Sequence, residues 1–306
     1  MKIRYGTRGS KLALHQTRHA IGIAHACAPD CEFEEVIIKT LGDQITNMPL
    51  FKVGGQGLFI KEIEQALTER RIDVAVHSLK DMPHAMSPGL TVLAAGCRED
   101  ARDCFVSTKY ESFASLPAGA VIGTSSLRRR AQLRTLRNDL QFSDFRGNLD
   151  TRLRKLEEGE VDAIILAAAG FHRFGWHDRI RHYFAIEEML PPAGQGIIAI
   201  QCRNEDVALL TPVFAAFADQ VAAARAEAER AFLAVLQGGC STPMAVHAEI
   251  EGDELRLHSF IGSASGTDVL RRCHSGKVAQ AAAIGRTAAE ELLAAGAAAL
   301  IGAPHE

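Results

Sequence analysis

No run of apolar residues in this 306-residue chain approaches the roughly 20 that a membrane helix needs. The Gly-rich segment Lys52-Val53-Gly54-Gly55-Gln56-Gly57-Leu58-Phe59 lacks the Gly-Lys-Ser/Thr of a phosphate loop, so it does not imply nucleotide binding. No His-Glu-x-x-His occurs, and Cys27-x3-Cys31 has no second pair at zinc-ligand spacing, which argues against a metal site. The seven cysteines, Cys27, Cys31, Cys97, Cys104, Cys202, Cys240 and Cys273, are odd in number and scattered, as reduced thiols are, and form no disulfide framework. Charge of one sign is also missing: 34 Lys+Arg face 37 Asp+Glu, a net of −3. Met1-Lys2-Ile3-Arg4-Tyr5-Gly6 enters strand-like sequence with neither an apolar signal core nor a Ser/Arg-rich leader. A cytoplasmic protein is expected. Hydrophobic residues at 47% and charged residues at 23% exclude a disordered or collagenous chain, and the length suggests two or three domains.

What is present is an alternation. Short β-branched runs at 3–6, 35–39, 73–77, 90–95, 104–107, 120–123, 142–145, 163–166 and 197–201 read as strands. Helical patterns at 11–26, 58–70, 128–137 and 149–158 lie between them, which implies α/β layers with mostly parallel sheets. From about Ala222 the texture changes. A long Ala/Glu/Arg helix over 223–237 ends at Gly238-Gly239. Strands at 246–250 and 255–260 flank Glu251-Gly252-Asp253-Glu254, a hairpin signature. A third strand at 269–274 and an Ala-rich helix at 278–293 complete a small α+β domain.

The α/β part contains an internal echo. Tyr5-Gly6-Thr7-Arg8-Gly9-Ser10 ends a strand and opens a helix, and Ile122-Gly123-Thr124-Ser125-Ser126 does the same 117 residues later. Such a turn either caps a helix with Ser or Thr, or offers backbone N–H groups to an anion. Two of them suggest paired units facing a cleft.

The near-zero total charge hides a local excess. Residues 128–155 hold nine Lys or Arg against three Asp, a window of +6, which leaves −9 elsewhere. Arg134, Arg137 and Lys155 suit a solvated face. Arg128, Arg129, Arg146, Arg152 and Arg173 instead follow the C-terminal ends of predicted strands, where clefts of open α/β sheets lie. Arg favours bidentate carboxylate or phosphate recognition, so a small polycarboxylate is the expected ligand. The −9 elsewhere and a lack of interleaved aromatics count against nucleic acid.

Two segments could carry chemistry. Asp73-Val74-Ala75-Val76-His77-Ser78-Leu79-Lys80-Asp81-Met82-Pro83 runs an apolar strand into a polar cluster, suited either to acid–base work or simply to a polar turn. There Lys80 is a nucleophile or an anion contact, and Asp81 stabilises a cation or moves protons. Gly238-Gly239-Cys240-Ser241-Thr242-Pro243 puts a cysteine beyond a helix C-terminus, where the dipole disfavours a thiolate. A packed cysteine, or one alkylated once as a permanent carrier, fits better than a turnover nucleophile.

Taken in order, these motifs resemble those of the porphobilinogen deaminase (hydroxymethylbilane synthase) family. The resemblance runs from Thr7-Arg8-Gly9-Ser10-x-Leu12-Ala13-Leu14 through the 52–59 loop, Val76-His77-Ser78-Leu79-Lys80-Asp81-Met82-Pro83 and Gly123-Thr124-Ser125-Ser126-Leu127-Arg128-Arg129. It continues in Arg146-Gly147-Asn148, Thr151-Arg152-Leu153, Gly194-Gln195-Gly196 and Gly238-Gly239-Cys240-x-x-Pro243. It implies a cytoplasmic, monomeric transferase that joins four porphobilinogen units into hydroxymethylbilane and releases ammonia, with no nucleic acid, membrane, metal or nucleotide involved. It implies two α/β domains like type II periplasmic binding proteins, 1–96 with 197–217 and 97–196, then an α+β domain at 218–306. The implied cofactor is a dipyrromethane, bound by thioether to Cys240 and held by Ser78, Lys80, Asp81, Thr124, Ser126, Arg128, Arg129, Arg146 and Gly147. Asp81, Lys80 and Arg8 are the implied catalytic residues. Arg8, Ser10, Arg146, Arg152, Arg173 and Gln195 are the implied substrate contacts. Lys52, Gly54, Gly55, Gln56 and Phe59 belong to a lid loop. Gln56 stands where the family often has lysine, so an ammonium contact from that position does not carry over. A non-catalytic anion receptor of the same architecture is the competing expectation.

Overall fold

The computed structural model describes residues 1–44, 57, 59–238, 242–263 and 265–301. The expected roles of Lys52, Gly54, Gly55, Gln56 and Cys240 fall outside the described residues. Four strands come first: β1 (Lys2–Thr7), β2 (Glu32–Ile37), β3 (Val74–Ser78) and β4 (Leu90–Ala95). The chain then crosses to β5 (Asp103–Val106), β6 (Val121–Gly123), β7 (Gln141–Ser143), β8 (Ala163–Ala167) and β9 (His182–Tyr183), and returns as β10 (Ile198–Arg203). The two resulting sheets have matching strand orders, β2-β1-β3-β10-β4 and β7-β6-β8-β5-β9. The internal echo is therefore real topology, with β1 corresponding to β6.

The sheets are mixed, which corrects the expectation of mostly parallel pairing. Around β1 and β6 the pairs are parallel. Around β10 and β5 they are antiparallel. The reason is connectivity. β5 and β10 each enter their sheet from the other unit, not through the helical crossover that parallel neighbours require. The two-residue strand β9 is too short to show a period in the sequence.

Helices cover the sheets: α1 (Lys11–Cys27), α2 (Lys61–Thr68), α3 (Leu127–Leu136), α4 (Leu149–Glu157) and α5 (Ala168–Arg173). Ser10 and Ser126 cap α1 and α3, accepting from the Ala13 and Arg129 N–H groups at 3.3 and 3.4 Å. The capping expectation is thus met at both turns. The core under the first sheet joins Ile3, Tyr5, Val76, Ile200 and Phe214. In the second, β5 is buried on both faces: Phe105 packs with Ile122 and Ile165, and Cys104 and Val106 pack with Leu166 and Phe171.

The last unit holds α6 (Gln220–Leu236), the antiparallel sheet β11 (Met244–Glu251), β12 (Glu254–Gly262) and β13 (Val269–Lys277), then α7 (Ala281–Ala294). Glu251 pairs with Glu254 across the turn Gly252-Asp253, so the hairpin expectation holds. The residue that ends α6 in left-handed conformation is Gln237 (φ 49°), one position before the expected glycines. The two helices approach so closely that a Cβ on Gly285 would stand 2.1 Å from the Ala228 carbonyl oxygen.

One buried carboxylate ties the units together. Glu229 of α6 is fully buried and accepts two hydrogen bonds from Arg98, at 2.7 and 2.8 Å. It also accepts the Gly194 N–H at 2.7 Å and the Ala248 N–H at 2.8 Å. Arg98 further donates to the Gln195 carbonyl at 2.9 Å. The outgoing crossing (96–102), the returning crossing (184–197), α6 and β11 thus meet at one ion pair. Removing one partner of such a pair strands the other charge, so Glu229→Ala should lower the unfolding free energy by about 3–5 kcal/mol in chemical denaturation. A loss below about 1 kcal/mol, the range of exposed pairs, would contradict the assignment.

Candidate active site between the two sheets

A cavity of about 1000 Å³ opens where the two sheets face each other, and its far wall comes from the last unit. The strand ends and helix starts of the echo build it. Arg8 and Ser10 come from the β1–α1 turn, Thr124, Ser126, Arg128 and Arg129 from the β6–α3 turn. Ser78 ends β3, Lys80 and Asp81 come from the 3-10 turn after it, Arg146 and Gly147 from the exit of β7, Arg152 from α4 and Arg173 from the end of α5. Gln195 comes from the returning crossing, and Phe59, Gly238 and Thr242 complete the lining. Every described residue expected at the site lines this one cavity.

The cations fall into two groups. Arg128 and Arg129 are buried and both pair with Asp103, each at 2.7 Å. Arg128 also donates to the Leu190 carbonyl at 2.6 Å. Gln195 spans Asp103 and Lys80, donating to the Asp103 carboxylate at 3.1 Å and accepting from the Lys80 ammonium at 3.2 Å. Burial raises the proton affinity of Asp103, but the two guanidiniums outweigh it and hold the carboxyl far below its usual range. Arg8 is braced too. It pairs with Asp43 at 2.5 Å and lies 4.0 Å over the Phe59 ring.

Lys80, Arg146, Arg152 and Arg173 form the second group and pair with no carboxylate among the described residues. Arg152 donates to the Gly147 carbonyl and Arg173 to the Gly196 carbonyl, both at 2.8 Å. The Nη1 of Arg146 and the Nε of Arg129 are buried without a hydrogen-bond partner. Burial, then the charges of Arg129 and Arg128, pushes the Lys80 ammonium down to about 8, with Asp81 and Asp103 opposing. Burial, then Arg129 and Arg146, lowers Arg152 to about 10. Burial lowers Arg173 to about 10 and also depresses Arg146. Like charges packed without counterions are costly, and a bound polyanion relieves that cost. Asp81 stands among them and makes no hydrogen bond or ion pair among the described residues.

Beneath the site lies a set of hydrogen-bonded side chains. Ser78 exchanges hydrogen bonds with Gln16, and His77 meets Gln201 at 3.0 Å, which in turn donates to Glu64 at 2.7 Å. Burial first, then the charge of Arg8, pushes the His77 imidazole down to about 4. His77 is thus a neutral support of β3 at ordinary pH. Asp103 and Asp43 were not singled out from the sequence. The available signal for Asp103 was an acidic residue heading an apolar strand, a placement that is costly unless a cation is nearby.

Comparison with known proteins bears on the same residues. The model of "Porphobilinogen deaminase, dipyromethane cofactor binding domain" matches residues 3–211, and that of "Porphobilinogen deaminase, C-terminal domain" matches 223–294. A porphobilinogen deaminase of Lysinibacillus sphaericus is 49% identical over 91% of this chain and 90% of its own. Those of Syntrophobacter fumaroxidans and Paracoccus denitrificans are 45% and 48% identical, over 96% and 95% of this chain and 95% and 93% of theirs. Among solved structures, a methionine-binding lipoprotein of Bacillus subtilis aligns with a TM-score of 0.45 at 11% identity, over 72% of this chain and 92% of that one. No helix among the described residues is long and apolar enough to cross a membrane.

The Lys80 ammonium carries its charge below about 8 and loses it above. Affinity for a small dicarboxylic acid should therefore fall as pH rises through this value, as read by titration calorimetry between pH 7 and 9. Lys80→Gln should bind more weakly and abolish the step. A step that persists in the variant would assign it to another group.

Proposed function

The chain belongs to the porphobilinogen deaminase family, and from that premise we propose that Asp81 and the cations without carboxylate partners carry out its reaction. The enzyme is a transferase that condenses four porphobilinogen units head to tail into hydroxymethylbilane and releases ammonia at each addition. Its cofactor is a dipyrromethane. The observation that carries the division of labour is the lone carboxylate of Asp81 among Lys80, Arg146, Arg152 and Arg173.

Each pyrrole brings an acetate and a propionate, so the ligand is a chain of carboxylates. The orphaned donors of Arg129 and Arg146 and the crowded charge of Lys80 fit the cofactor's acid side chains. Thr124, Ser126, Arg128, Gly147 and Ser78 complete its cradle, with Cys240 as the point of thioether attachment. When bound, the dipyrromethane supplies a covalently held primer with a free pyrrole α-carbon. Arg8, Ser10, Arg146, Arg152, Arg173 and Gln195 orient the incoming porphobilinogen through its carboxylates and hydrogen bonds. Asp43 and Phe59 keep Arg8 extended for that contact, and Asp103 holds Arg128 and Arg129 in register. Asp81 stabilises the cation left when porphobilinogen loses ammonia and assists the proton transfers around it. The low-affinity proton of Lys80 suits it to exchange charge as ammonia leaves.

The sheet to which each strand belongs supports the division into 1–96 with 197–217, 97–196 and 218–306. Lys52, Gly54, Gly55, Gln56 and Phe59 form the lid. The protein acts as a cytoplasmic monomer on porphobilinogen, without nucleic acid or membrane.

The test is intact mass followed by peptide mapping. Purified protein should carry two linked pyrrole units on the peptide containing Cys240. A protein with no adduct, and unable to gain one from porphobilinogen, would be an anion receptor instead. Asp81→Asn should keep the adduct and lose about 100-fold or more of turnover, in line with removal of an acid–base group. Near-normal turnover would remove Asp81 from the mechanism.

A further inference from the structure

The cavity has one wall of a different character. Phe174 and Trp176, on the chain leaving α5, stack with ring centroids 4.7 Å apart and planes 29° from parallel. His15, reaching across from α1, lies 5.7 Å from Phe174. Burial, then the charges of His19, Arg173 and Arg18, lowers the proton affinity of His15, which packs behind Phe174. Phe174 and Trp176 both line the cavity, and Trp176 also packs partly against the core of the second unit. Their neighbour Arg173 donates to the Gly196 carbonyl and pairs with no carboxylate among the described residues.

Half-buried aromatic rings lining the cavity beside an uncompensated guanidinium complement one kind of ligand, a flat electron-rich ring that carries carboxylates. The acid–base pair Lys80–Asp81 sits on a different element, the turn after β3. We propose that Phe174, Trp176 and Arg173 form a docking shelf for pyrrole rings of the lengthening chain, separate from the reacting position at Asp81. This rests on the porphobilinogen reading and adds a subsite to it.

Trp176 is the only tryptophan of the chain, so its emission reports the shelf directly. The holoenzyme is mixed with increasing porphobilinogen, and intact mass counts the units added to the enzyme. Emission should stay near its starting value at the first addition and change once the third unit is attached. The Phe174→Leu/Trp176→Leu variant should keep the dipyrromethane adduct, accumulate short intermediates and release tetrapyrrole a few-fold to about tenfold more slowly, the scale of lost aromatic contacts. Trp176→Phe should restore the parent distribution of intermediates. The proposal is overturned if the double variant and the parent show the same distribution, or if emission in the parent is unchanged at every stage. A parent that carries no adduct would instead refute the underlying enzyme reading, so the two failures are told apart.

Discussion

The whole molecule is organised around a carboxylate that never meets water. Glu229 sits at 0% exposure with the Arg98 guanidinium against it, and its remaining lone pairs take the N–H groups of Gly194 and Ala248. A buried charge is tolerable only when all its hydrogen-bonding capacity is used. Satisfying this one forces the outgoing crossing, the returning crossing and the last unit to converge. That convergence fixes where Gln195 lies, and Gln195 links the Lys80 ammonium to Asp103.

Asp103 applies the same rule inside the site. By pairing with Arg128 and Arg129 it holds two of the cavity's arginines in place. What is left over is informative. Lys80, Arg146, Arg152 and Arg173 crowd one space with their proton affinities depressed, and the only nearby carboxylate without a partner among the described residues is that of Asp81. Cations left without carboxylates in one cavity complement a ligand that brings its own, which is the basis of the proposed division of roles. A porphobilinogen chain brings two per ring.

Local signals were readable along the chain. Ser10 and Ser126 cap their helices as their positions before helical patterns implied. The Gly252-Asp253 turn closes its hairpin, and apolar runs such as 90–95 became strands. The site residues that the family resemblance implied line one cavity wherever they are described. Illegible were the orientation of β5 and β10, because nothing in a strand's own sequence records which way its neighbours run, and β9, which is too short to show a period. The partners Asp103 and Asp43 were also hidden, since each acts on a residue well removed along the chain.

The sequence by itself determined the elements, the family and the identity of the cations, because helix caps, periodicity and motif spacing are encoded within a few neighbouring residues. Only the tertiary structure decided which cations have a carboxylate partner and which do not. That choice depends on whether a carboxylate 25 positions away, as with Arg128 and Asp103, or 131 positions away, as with Arg98 and Glu229, is brought within hydrogen-bonding distance. Charge pairing is a property of space, and the fold distributes it.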